Sequence, residues 1–192
     1  MPSGAPVHQW QAVCAVNAHP TLYRSLTMIG NPWTMPNYKR PKIPGSTVFF
    51  TVALADRHSS ALVEKVGALR EAVRKTRGER PFRIEAWVVL PDHMHAVWTM
   101  PDGDCDFSTR WSVIKARFSR EVAPGHRRLS QLKRRERGVW QRRFWEHHVR
   151  GPEEFNEVIR YCHTNPLKHQ LVARPEDWPY SSVHREIAVG RR

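Results

Sequence analysis

No apolar run in this chain approaches the roughly 20 residues that a bilayer-spanning helix needs, and no basic amphipathic segment shows a lipid-facing stripe. Cysteine is also scarce. Cys14, Cys105 and Cys162 are odd in number, widely scattered and form no Cys-x-x-Cys pair, which excludes a disulfide framework or a cysteine zinc site and leaves reduced thiols. The chain is short of acid as well: 18 Asp+Glu face 31 Lys+Arg, a formal charge of +13. A polyanion is the partner such charge expects, and without a membrane-binding pattern that means nucleic acid. The first residues carry neither a charged n-region nor a clean apolar h-region, so a cytoplasmic protein is expected. No internal repeat is visible, and 192 residues suffice for one domain with a real core.

Residues 1–34 lack periodicity and hold Pro2, Pro6, Pro20 and Pro32, the pattern of a poorly ordered extension. The folded domain is expected over 35–174, with a tail over 175–192. Val48 to Leu54 is β-branched and aromatic enough for a buried strand, and Ser59-Ser60 can cap a helix with Leu62, Val63, Val66, Leu69 and Val73 inward. Phe82–Leu90 and His93–Thr99 read as a hairpin joined by Pro91-Asp92. From Asp106 the spacing predicts a helix with Phe107, Trp111, Ile114 and Phe118 buried and Arg110, Lys115, Arg117 and Arg120 toward solvent. A basic loop over 126–138, a strand over 139–149 and a helix from Gly151-Pro152-Glu153-Glu154 follow. This order argues for an α+β fold: a ferredoxin-like antiparallel sheet with helices packed on one face, plus a C-terminal tail that folds back on the domain.

His93-Met94-His95 lies in an apolar strand, where residues two apart share a face, so both imidazoles leave one side and can hold a metal. Eleven histidines make a chance His-x-His triplet ordinary, so the pattern needs chemical company. On the last helix Tyr161 and Asn165 are one turn apart, although Pro166 is expected to end or kink the helix at the amide.

Four stretches carry a resemblance. Ala86-Trp-Val-Val-Leu-Pro-Asp-His-Met-His95, Val139-Trp-Gln-Arg-Arg-Phe-Trp-Glu-His147, Tyr161-Cys-His-Thr-Asn-Pro-Leu-Lys-His169 and Asp177-Trp-Pro-Tyr-Ser-Ser-Val-His184 resemble, in order, the motifs of the REP-associated tyrosine transposases. These belong to the His-hydrophobic-His single-strand transposases. The resemblance runs from about Asn37 to about His184. It implies a nuclease that cuts single-stranded DNA at or near hairpins of the repeated extragenic palindromes. By position His93 and His95 would be metal ligands, Asn165 the third ligand and Tyr161 the nucleophile, forming a 5′-phosphotyrosine that a second 3′-hydroxyl can reverse. Mg2+ or Mn2+ is implied as the ion, although imidazoles by themselves would suit zinc or nickel at least as well. The motif holds no obvious general base.

Arg127, Arg128, Lys133, Arg134, Arg135, Arg137, Arg142 and Arg143 crowd one span, with Trp140, Phe144 and Trp145 at its end. The charges are assigned to DNA phosphates and the aromatics to the core. Lys168 either contacts phosphate or favours the helix end through its dipole, as does His169. His147 and His163 are placed behind the ligands, supporting them. The tail implies, by the same resemblance, a monomer working with its own tyrosine. Two other readings stand beside this one: a non-catalytic hairpin-binding protein on the same scaffold, and a zinc hydrolase, which lacks the downstream Asp-His such sites add.

Overall fold

The computed structural model describes residues 40–127 and 129–190. The expected extension over 1–34 lies outside them, as does Arg128. Strands β1 (Thr47–Ala53), β2 (Arg83–Val89), β3 (His93–Thr99) and β4 (Trp145–His148) form one sheet in the order β2-β3-β1-β4, every neighbouring pair antiparallel. Between β1 and β2 run α1 (Ala61–Glu64) and α2 (Val66–Glu79); between β3 and β4 run α3 (Phe107–Arg120) and α4 (Leu129–Lys133). Helix α5 (Pro152–Lys168), a 3-10 turn (Pro175–Asp177) and α6 (Val183–Gly190) follow. This is the ferredoxin-like α+β sheet expected from the sequence. None of the described helices is long and apolar enough to cross a membrane.

Alternation along the strands makes both faces apolar, and that decides the layers. Val48, Phe50 and Val52 of β1 join Met94, Ala96 and Trp98 of β3 on one face, covered by Leu62 and Leu69 and by Phe107, Trp111, Ile114 and Phe118 of α3. Phe49, Ala86, Val88 and Val97 point the other way and meet Val158 and Cys162 of α5. The connecting helices thus lie on one face as expected, while α5 covers the second. Without it those side chains would face water, against a burial gain of about 25 cal/mol per Å2.

Several local expectations are corrected. Arg110 is not solvent-facing but 2% exposed. It sits one turn from both Phe107 and Ile114, on the buried stripe, and its guanidinium is satisfied by Asp104 (2.7 Å) and the carbonyls of Arg80, Pro81 and Asp106. Lys115 is likewise drawn inward, donating to the Gln141 carbonyl at 2.6 Å. The first helix is divided at Lys65, with the Ser59 hydroxyl accepting from the Ala61 N–H at its start. Helix α5 does not end at Asn165: Pro166 is inside it, and the His169 N–H still reaches the Asn165 carbonyl at 3.1 Å. The strand expected over 139–149 is only Trp145–His148, because from Trp140 to Trp145 the chain advances five residues while its partner moves three, from Leu54 to Thr51. The extra residues bulge out. The basic loop before it contains α4.

Beyond α5 the chain returns to the outer edge of β2. Val89 N–H donates to the Tyr180 carbonyl (2.9 Å), Ser182 N–H to that of Trp87 (2.8 Å), and Trp178 Nε1 to that of Val89 (2.8 Å). Edge groups of β2 are thereby paired.

Candidate active site

Strand alternation puts His93 and His95 on the α5 face, 5% and 4% exposed, while Met94 enters the opposite core. The two rings lie 5.1 Å apart. Each has one nitrogen already held. His95 Nδ1 meets Oγ1 of Thr51, its register partner on β1, at 2.9 Å, and His93 Nδ1 meets Asp92 Oδ1 at 2.7 Å. Asp92, in the hairpin turn, is itself braced by Arg57 Nε at 2.7 Å. A carboxylate on Nδ1 leaves the Nε2 lone pair outward, the arrangement found behind metal-ligating histidines. Burial, reinforced by the charges of His93, His169, Lys168 and Arg57, holds His95 well below the usual histidine range, so its imidazole is neutral and able to ligate.

Helix α5 starts at Gly151 with Pro152 in its first turn and Glu153 and Glu154 complementing its dipole. Val158, Cys162 and Asn165 form its sheet-facing stripe, and Tyr161 lies beside it. The Tyr161 ring is 5.2 Å from His95 and 5.7 Å from Phe49, both edge-on. Lys168 Nζ lies 4.2 Å from the Tyr161 ring centre, and burial pulls this ammonium below the usual lysine range. Asn165 is 1% exposed, and its Oδ1 has no hydrogen-bond partner. A buried amide oxygen left unpaired is costly, and a cation is one partner that would satisfy it. Among the described residues no three His, Cys, Asp or Glu side chains converge in metal-binding geometry. A three-donor site at the histidine pair therefore needs an oxygen of another kind. Two imidazoles and this amide oxygen fit a divalent ion.

A further imidazole stands at the same place. His169, just past α5, has its ring 5.0 Å from His93, and burial, with the charge of His93, lowers it to about 4. His147 lies elsewhere on this face, its Nε2 2.7 Å from Glu154 and its ring stacked on Trp145. His163 turns away from Tyr161 toward the tail, meeting Ser182 Oγ at 3.0 Å and Glu186 at 3.4 Å.

Arg127, Lys133, Arg134, Arg135, Arg137, Arg142 and Arg143 are exposed, whereas Trp140 and Phe144 are buried and Trp145 is half-buried. Arg142 pairs with Glu136 at 3.0 Å, and Arg137 donates to the Val122 carbonyl. Arg142 and Arg143 border a cleft of about 1220 Å3 that also takes in Asp56, Lys65, His126 and Gln131. Its Leu54 N–H donates to the Asp92 carbonyl, so the cleft opens beside the histidine end of the sheet.

Sequence reasoning had not singled out Asp92, Thr51 and Arg57. Asp92 was readable, since it precedes His93 in a tight turn. Thr51 needed the strand register, and Arg57 the path of the loop after β1.

No family model matches the chain. It is 44% identical over 156 residues to the REP-associated tyrosine transposase of Escherichia coli strain K12, covering 81% of this chain and 87% of that protein. A Haemophilus influenzae protein described as a candidate of the same kind is 37% identical over 155 residues, covering 80% and 88%. Among solved structures, a REP-associated tyrosine transposase bound to a REP hairpin matches with a TM-score of 0.70 and 42% identity, over 81% of this chain and 87% of that one.

Proposed function

The chain belongs to the REP-associated tyrosine transposases, and from that membership we propose that it is a metal-dependent endonuclease and strand transferase of single-stranded DNA, acting at or beside REP-type hairpins. The observation that carries this reading is the meeting of Tyr161 with His95, 5.2 Å between rings, beside an unpaired Asn165 oxygen.

Tyr161 supplies the nucleophile. Its phenolic oxygen attacks the phosphorus, the P–O3′ bond breaks, the departing 3′ oxygen takes up a proton in place of the one the phenol gives up, and the 5′ end remains as a phosphotyrosine. One phosphodiester replaces another, so a second 3′-hydroxyl reverses the step without a nucleotide cofactor. His93, His95 and Asn165 would hold the divalent ion, Mg2+ or Mn2+, which when bound supplies Lewis acidity toward a non-bridging phosphate oxygen. Asp92 and Thr51 fix the two imidazoles. Lys168 sits over the nucleophile's ring, where its positive charge favours an approaching phosphate.

The exposed bases of the loop, Arg127, Lys133, Arg134 and Arg135 among them, would track the phosphates of the hairpin. The tail over β2 supports a monomer, because it occupies the edge through which two sheets would join. A DNA substrate supports a location at the chromosome, in the cytoplasm.

The test is incubation of the protein with labelled hairpin DNA and Mg2+ or Mn2+, followed by denaturing electrophoresis. A covalent adduct is expected from the wild type and none from Tyr161→Phe. An adduct that survives in Tyr161→Phe removes the nucleophile assignment. Hairpin binding with no adduct under either ion would favour the non-catalytic reading.

A further inference from the structure

On the face of the sheet opposite Tyr161, a groove of about 320 Å3 runs between α2 and the returning tail. Its floor is Leu69 and the half-buried Trp87, and Tyr180 forms the wall. Arg70, Arg74 and Arg77 line its rim from successive turns of α2. The three arginines are engaged differently. Arg74 is bound to Glu71 at 2.6 Å, Arg77 Nε donates to the Phe82 carbonyl at 3.1 Å, and Arg70 has no ion-pair partner among the described residues. No carboxylate lines the groove among the described residues. Apolar walls with a few converging polar groups mark a ligand site rather than a surface dent.

We propose that this groove holds an unpaired nucleotide of the single strand flanking the hairpin, its base against Trp87 and Tyr180 and its phosphate on the arginine rim. The inference rests on the reading of the protein as a hairpin-DNA enzyme. Aromatic rings beside a cationic rail are how sequence-tolerant single-strand sites are built, the rings taking bases and the cations the backbone. A neutral peptide or lipid chain would leave the guanidinium row without a counter-charge. The place is also suitable. Val89, in the groove wall, pairs with Met94, the residue between His93 and His95. The strand end that carries the candidate metal ligands is thus next to the groove, around the Pro91-Asp92 turn.

The experiment compares two oligonucleotides, a hairpin with a single-stranded flank and the same hairpin without it, for wild type, Arg70→Glu and Tyr180→Ala. Both substitutions are expected to weaken the flanked hairpin roughly tenfold and to leave the unflanked one unchanged. With 5-iodouracil in the flank, irradiation should link DNA to the peptide holding Trp87 or Tyr180, in Tyr161→Phe as well as in wild type. Equal losses on both oligonucleotides, no loss on either, or crosslinks confined to other peptides would overturn the assignment. So would a doubled mass in DNA-free light scattering that Arg70→Glu abolishes, since a second copy would then fill the groove. Adduct formation at Tyr161, read in the same samples, reports separately on the enzyme reading.

Discussion

Asp92 decides which nitrogen His93 offers. Its carboxylate takes Nδ1 at 2.7 Å while Arg57 holds its other oxygen, so the ring is set in orientation and tautomer before any ligand arrives. Asp92→Asn should therefore lower Mn2+ affinity roughly 10–100-fold by calorimetry with little change in folding. An unchanged affinity would mean that the turn, not the carboxylate, orients the ring. The neighbouring imidazoles also set a pH dependence. An unfolded chain protonates its histidines near 6.5, whereas folded His169 stays neutral down to about 4 because it is buried, with His93 close by, and His95 is shifted the same way. Between those values the unfolded state binds more protons, so stability present above pH 6.5 is lost as the pH falls toward 4. Thermal melts should record that decline, and His169→Gln should flatten part of it.

At the scale of elements, the pattern of apolar residues was a sound guide to where a helix or strand lies, and a poorer one to what its polar members do. Arg110 and Asn165 both sit on buried stripes; Asp104 meets the guanidinium there, and the unpaired amide oxygen is open to the proposed ion. The basic segment before β4 is held by a backbone contact. A Cβ on Gly125 would stand 2.5 Å from the Gly138 carbonyl, and one on Gly138, whose φ is +71°, only 2.6 Å from that of His126. Gly138→Ala thus combines left-handed strain with a clash against main chain, and should cost about 2 kcal/mol and lower Tm by roughly 4–8 °C. Melting at the wild-type temperature would show that the loop simply moves aside.

For the whole molecule, the free edge of β2 is the exposed liability of a four-stranded sheet, and the tail is what manages it. Removing residues 178–192 would unpair the Trp87 carbonyl and both the Val89 N–H and carbonyl, and would uncover the apolar groove wall. Light scattering should then find dimers or larger species, against the monomer expected of the full chain, and the melt should come earlier. A truncated protein that stays monomeric at high concentration would place edge protection elsewhere, in the positive charge of the surface.

The sequence by itself determined the chemistry available: a strand with two same-facing imidazoles, a tyrosine and an amide one turn apart, and an excess of cations suited to DNA. These follow from period, spacing and composition, all local properties. Tertiary structure alone decided that α5 crosses to the second face, bringing Tyr161 over His95 and burying Asn165 with its oxygen unpaired. It also decided that Thr51 stands behind His95 and Arg57 behind Asp92, that His163 serves the tail, and that Arg110 is buried. Each of these depends on which apolar face covers which and on strand register, and such pairings between residues far apart in the chain leave no local periodicity to read.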